Sequence, residues 1–172
     1  MSKRNVTVPA LVVAAAVALI ATSTLSAASE PGQQRIVLVQ RNQQETPFGR
    51  FVLYALSPGP LGLDSGTFAL STVQKPPVEH DGQRAAVYVG LETLTGKRGS
   101  FEIRWRVEFV SAGDGATVGT GRWWLVRGQG AYADATGGGR LAMVLMTPRG
   151  YTNAQFEGLL RLRVVPSRGV ER

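Results

Sequence analysis

Few side chains in this sequence of 172 residues are of the types that usually carry chemistry. The chain has one histidine, His80, and no cysteine. It therefore cannot form a disulfide, a thiol nucleophile, an iron–sulfur cluster or a site with several histidines. Glu79 and Asp81 flank His80, but adjacent residues on an extended chain do not converge easily on one ion. Because Asp81-Gly82 is also a common turn pair, we predict a loop here and expect neither a metal site nor a cofactor.

Candidate catalytic groups are equally sparse. A serine hydrolase would have to use His80 as its base, yet the sequence has no Gly-x-Ser-x-Gly nucleophile motif. General acid–base catalysis would need carboxyl groups that face a cavity, and Glu92, Glu102 and Glu108 are the candidates. The alternating pattern of the chain points Glu102 and Glu108 away from an interior. Catalytic residues are therefore left unassigned.

A glycine-rich segment, Gly119–Arg140, contains a stretch that formally matches a dinucleotide-binding pattern, Gly128-Gln-Gly-Ala-Tyr-Ala133. That chemistry needs a helix facing the pyrophosphate and an acidic residue about 20 positions later. Here three consecutive glycines end any helix early, and the next carboxylate after Asp134 is Glu157. We therefore predict a turn in which glycine allows positive φ and a close approach of backbones.

The elements that would position these residues begin with an export signal. Met1–Ala28 has two early cations, an apolar run over Ala10–Ala21 and a small-residue end, which is the layout of a secretory signal peptide. The run is about 12 residues, too short for a membrane span of about 20. We predict cleavage near Ala28 and a secreted or periplasmic protein that meets the membrane only through this segment; an uncleaved anchor is the alternative.

Residues 29–172 then form one predicted domain. Loss of Lys3 and Arg4 lowers the formal net charge from +7 to +5. The remaining cations are mostly arginines spread along the chain, which argues against a nucleic-acid surface and for no nucleic-acid partner.

Glycine-separated segments with alternating polarity indicate strands. All 21 glycines follow residue 31, and Phe101–Phe109 alternates without a break between apolar and charged residues. Its apolar row should face a core and its charged row should face water. The predicted strands are Arg35–Arg41, Arg50–Leu56, Gly66–Thr72, Ala86–Leu94, Ser100–Val110, Gly121–Val126, Leu141–Met146 and Gln155–Val165.

Eight strands without a covering helix must close their sheet or stack two sheets. Short glycine links favour an up-and-down order, which closes most simply as a barrel. We therefore predict an all-β fold, an eight-stranded antiparallel closed β-barrel preceded by a signal-peptide helix. The segments 56–66 and 74–83, rich in proline or glycine, are predicted as irregular loops at a rim.

The glycine-rich segment also carries a family resemblance. A Gly128-x-Gly130-x-Tyr132 turn, followed by Gly137 and Gly139 before the next strand, resembles the allene oxide cyclase/dirigent-type barrel superfamily, and most of all its small bacterial members of unassigned function. The upstream stretch 94–101 is similar to the same group. The resemblance implies an eight-stranded barrel with an apolar cavity. It also implies a protein that is often oligomeric. It implies no catalytic residue in this sequence.

Three functions are consistent with these patterns. The first is an exported barrel that binds a small apolar or amphipathic ligand through an inner lining of Trp105, Phe109, Trp123 and Met143. The second is a non-catalytic envelope module that forms a homo-oligomer. The third is a cyclase-like or isomerase-like enzyme, which requires an ionisable group inside the cavity. Adjacent Trp123 and Trp124 must point to opposite faces, and the sequence leaves open which of them points inward.

Overall fold

The computed structural model describes residues 32–43 and 46–162. The predicted signal peptide, its cleavage position and its helix lie outside these residues. Within them the fold is all-β, with no α-helix and one short 3₁₀ turn at Thr147–Arg149. The predicted fold class is confirmed to that extent.

Eight strands form a single antiparallel sheet in which each strand pairs with the next along the chain. The last strand pairs with the first over eleven residues, from Gln33 opposite Arg161 to Gln43 opposite Tyr151, so the sheet closes into a ring. This up-and-down order is the one predicted from the short glycine links. The strands are β1 Gln33–Gln43, β2 Phe48–Ala55, β3 Asp64–His80, β4 Gln83–Gly96, β5 Gly99–Gly113, β6 Ala116–Gly130, β7 Thr136–Met146 and β8 Tyr151–Arg161.

The expectation of an irregular loop at 74–83 was wrong. β3 and β4 continue as a hairpin up to a two-residue turn, Asp81-Gly82, in which both residues have positive φ. Pro76 and Pro77 are accommodated where the pairing shifts register between Lys75 and Val78. β2 pairs with β3 only up to Ala69, so the prolines lie on a strand edge, where a missing N–H costs no ladder hydrogen bond.

The alternation of β5 has the predicted consequence. Its apolar row is buried, whereas Arg104 and Arg106 in the other row are exposed. Glu102, on the same outward row, is covered by an ion pair with Arg127 at 2.8 Å. The buried row consists of Phe101, Ile103, Trp105, Val107 and Phe109.

One end of the ring, called here the packed end, is closed by two connections, the segment 56–63 and the turn after β6. Gln34 donates to the carbonyls of Ser57 and Leu61 and accepts from the Leu61 N–H, which holds the 56–63 connection across the ring. Tyr132, from the turn after β6, donates to Asp64 at 2.8 Å. Burial raises the pKa of Tyr132, and its hydroxyl therefore remains a donor.

Candidate functional site

A cavity of about 580 Å³ occupies the other end of the ring, where β1 ends and β8 begins; it is called here the open end. Its mouth carries uncharged polar side chains, among them Asn42, Thr72, Thr117 and Thr152. Its inner end, called here the floor, is formed by the lining residues of β1, β3, β4, β5, β7 and β8 that lie furthest along each strand from the open end. These are Gln40, Phe68, Glu92, Trp105, Met143 and Ala154.

Glycines on neighbouring strands explain why this end is hollow. Three aromatic residues of the cavity lining are each paired directly with a glycine across the sheet, and each ring fills the space that a Cβ of that glycine would occupy. A ring that lies over a glycine follows the wall and does not project across the interior. The pairs are Phe68 with Gly49, Trp105 with Gly90, and Phe109 with Gly119.

Glu92 carries the one carboxyl group in the described lining of the cavity. It is 1% exposed and faces inward because it shares a face of β4 with Tyr88, Gly90 and Leu94. Gln40 donates from Nε2 to its Oε2 at 2.7 Å, and Trp105 donates from Nε1 to its Oε1 at 2.7 Å. The packing of Trp105 over Gly90 therefore also places the indole N–H against the carboxyl group.

Burial raises the pKa of Glu92 to about 7, although the hydrogen bonds from Gln40 and Trp105 act in the opposite direction. A carboxyl group with this pKa exchanges its proton near neutral pH. It can accept hydrogen bonds when ionised and donate one when protonated. The floor of the cavity therefore holds a group capable of acid–base chemistry or of anchoring a polar head group.

Of the predicted lining residues, Trp105, Phe109 and Met143 do line the cavity. Trp123 does not. It faces the interior but lies in the packed core, where its ring meets Phe156 edge-on at 6.3 Å and its Nε1 donates to the Glu157 carbonyl at 3.1 Å. A side chain packed and hydrogen-bonded in this way belongs to the core and does not line the cavity.

The adjacent tryptophans point to opposite faces, as β alternation requires. Trp123 is 3% exposed, whereas Trp124 is 41% exposed on the outer face. The inward residue is therefore Trp123. This result answers the question that the sequence left open.

Sequence reasoning did not assign Gln40 and Glu92 to the lining. Both follow the alternation of their strands, since Gln40 continues the inward row of Ile36 and Leu38, and Glu92 lies between the inward residues Gly90 and Leu94. The usable signal was a polar residue at an inward position. Glu92 had been considered as an acid–base candidate that needed a cavity, and the structure places it in one.

The other polar groups considered from the sequence lie elsewhere. His80 contacts Glu108 at 2.8 Å outside the cavity. The hydrogen bond from Arg106 and, to a smaller degree, the hydrogen bond from His80 lower the pKa of Glu108. Among the described residues, no three His, Asp or Glu side chains are grouped to hold a metal ion. No helix in this part of the chain has the length and apolar character needed to cross a membrane.

Comparison with known proteins adds no identity to this geometry. No protein-family model matches the chain, and no curated protein matches it significantly. The resemblance of the glycine-rich segment to allene oxide cyclase/dirigent-type barrels therefore stays a prediction.

Proposed function

We propose that this chain is an exported β-barrel protein that binds a small apolar or amphipathic molecule in the cavity at the open end. The observation that carries the proposal is the cavity itself, about 580 Å³ with aromatic walls and a hydrogen-bonded carboxyl group on its floor. Ligand sites are commonly concave and mostly apolar, with a few polar groups that fix orientation. The predicted signal peptide supports export.

The contrast between the two ends of the ring supports a role for the empty space. At the packed end, side chains fill the interior, and Phe51, Phe101 and Tyr132 contact one another in series, with ring centroids 4.5–5.9 Å apart. At the open end, glycine partners hold the rings against the wall. Apolar residues that line a cavity have fewer packing contacts than residues in the core. A ligand in the cavity would restore those contacts.

Native mass spectrometry of the protein purified from its own envelope or medium tests the proposal. We expect a bound small molecule that can be extracted and that protects the protein against thermal unfolding. An Ala154→Trp variant, which fills the floor, should lose the adduct. Ala142→Trp is the matched control, because Ala142 lies exposed on the outer face of the adjacent strand. An adduct retained by Ala154→Trp and lost by Ala142→Trp would refute a ligand in the cavity.

A cyclase-like or isomerase-like activity is a second candidate, because Glu92 supplies the ionisable group that such an enzyme needs inside its cavity. The extracted molecule, returned to the protein in D₂O, would then gain solvent deuterium at carbon. Glu92→Gln would bind it without exchange. Binding without exchange by the wild-type protein would exclude proton transfer to this molecule and leave the binding function intact.

Self-association is a third candidate, favoured by an apolar patch on the outer face of β1 and β2. Val37 is paired with Tyr54, and Val39 with Val52, and Tyr54 is 46% exposed. Exposed patches of this kind often form interfaces. Light scattering would show an oligomer that Tyr54→Glu disrupts, whereas a monomer at high concentration would exclude this candidate.

A further inference from the structure

The described lining of the cavity contains a carboxyl group and no basic side chain. Glu92 is buried on the floor, and the described lining contains no arginine, lysine or histidine. The ion pairs Arg127 with Glu102 and Arg106 with Glu108 involve outward-facing carboxylates of the neighbouring strand β5. No positive side chain of the described residues is thus available inside the cavity to neutralise Glu92.

The hydrogen bonds to Glu92 suit an ionised carboxylate. Indole Nε1 is a donor only, and the Gln40 atom that faces the carboxyl group is its amide nitrogen. Each carboxyl oxygen therefore accepts one hydrogen bond. A carboxylate has about four acceptor positions, so further positions remain for a donor from a ligand.

Four aromatic side chains line the same cavity. Phe68, Trp105 and Phe109 lie over their glycine partners, and Tyr88 meets Phe109 edge-on with ring centroids 5.7 Å apart. Aromatic faces attract cations, and indole does so most strongly. The described lining of the cavity thus has two features that favour a cation. One is a buried carboxylate that has no positively charged side chain beside it, and the other is a set of aromatic rings.

We propose that the ligand of this cavity is an organic cation, a protonated amine attached to an apolar body, with its ammonium group on Glu92. This inference rests on the proposed binding function and narrows it to one chemical class. A buried charge is costly unless it is paired, and an ammonium group supplies the missing partner. A ligand with a carboxylate head would instead meet a like charge on the floor.

The direction of the pH dependence follows from the pKa of Glu92, about 7. A primary alkylammonium keeps its proton below about pH 10, so it pairs only with the ionised form of Glu92. Its affinity should therefore rise by about 30-fold between about pH 5.5 and 8.5. A neutral ligand that accepts a hydrogen bond from protonated Glu92 would show the opposite trend.

Other titratable groups are placed so that they do not obscure this trend. Tyr88, on the same strand, is the only other titratable side chain in the described lining, and β1, β3, β5, β6, β7 and β8 contribute none to it. His80 and Glu108 contact each other outside the cavity. The pH dependence of binding can therefore be assigned to Glu92.

Calorimetric titration of the full chain with n-octylamine, n-octanol and octanoate tests the inference, because the three probes share one chain and differ in head group. We expect octylamine to bind most tightly at pH 8.5 and to weaken by about 30-fold at pH 5.5. Glu92→Gln should remove the preference for octylamine over octanol at pH 8.5. Glu108→Gln, an outward carboxyl, is the matched control and should bind as the wild type does.

The possible failures are distinguishable. If octanol or octanoate binds more tightly than octylamine at pH 8.5, or if octylamine binding weakens as pH rises, the cation is wrong and the binding function stands. If none of the three binds the wild-type protein and no ligand is extracted from it, the binding function fails and takes this inference with it. If Glu92→Gln does not fold, the head-group and pH comparisons in the wild type still decide.

Discussion

Replacement of Glu92 by glutamine should change how stability depends on pH. In the unfolded chain this carboxyl group has its ordinary pKa of 4.5, and in the folded protein burial raises the pKa to about 7. Between these values the folded state holds the proton more tightly than the unfolded state. The contribution of Glu92 to stability is therefore present in full below pH 4.5 and is lost as pH rises through 7.

The size of the effect follows from the shift. A change from 4.5 to about 7 corresponds to about 3 kcal/mol in the free energy of unfolding. For a domain of this size that is a change in Tm on the order of 10 °C. Glu92→Gln lacks the titrating carboxyl group. Its free energy of unfolding should therefore not show this decrease as the pH rises from 4.5 through 7.

Urea unfolding of both proteins from pH 4.5 to 8.5 measures the effect as a difference. Other carboxyl groups titrate in both proteins and cancel. Glu108, for example, has a lowered pKa, so it adds stability as pH rises in both. The wild type should lose about 3 kcal/mol relative to Glu92→Gln across the range.

The slope of the difference, and not its offset, tests the reasoning. The glutamine carbonyl can accept from either Gln40 or Trp105, but its amide would face the other donor. The variant should therefore be about 1–2 kcal/mol less stable than the wild type at pH 4.5. Because the wild type then loses about 3 kcal/mol, the variant should be the more stable protein at pH 8.5. Parallel curves for the two proteins would show that Glu92 is not desolvated, and would refute the buried, ionisable floor.

Three further changes test the packing around the cavity, all by urea unfolding. Gly90→Ala places a Cβ in the ring of Trp105 and should cost about 1–3 kcal/mol; a similar cost in a Trp105→Leu background would contradict the contact. Tyr132→Phe removes a buried donor and should cost about 1–3 kcal/mol; a loss under about 0.5 kcal/mol would show that the hydroxyl is not needed. Trp123→Ala should cost about 3–5 kcal/mol and Trp124→Ala less than about 1 kcal/mol, and a larger cost for Trp124→Ala would reverse the assignment of their faces.

Sequence reasoning predicted the strands because the signal for them is local. Alternation in Phe101–Phe109 requires only that one face be buried, and all five apolar residues of that stretch are buried. Asp-Gly pairs end strands because they adopt positive φ, as Asp81-Gly82 and Asp114-Gly115 do. Closure followed from the number of strands and the lack of a covering helix.

The cavity could not be predicted in this way, because it depends on which residues face each other across the sheet. The space beside Trp105 exists because Gly90 is its direct partner, and that pairing depends on the register of two strands. The location of Trp123 in the core depends on strand register in the same way. Alternation allows it to point inward, but only the register places it beside Phe156 in the packed core, outside the cavity.

Two buried carboxyl groups, the ones that face the interior among the residues that the structure describes, show how the ends of the ring differ. Asp64 at the packed end accepts three hydrogen bonds, from Tyr132 and from the backbone of Ser65 and Lys97. Its acceptor positions are nearly all used, and the partners hold a turn and a strand end in place. Glu92 at the open end accepts two and borders unfilled volume. Its protein partners therefore leave acceptor positions that face the cavity, and these are the positions that a ligand donor would take.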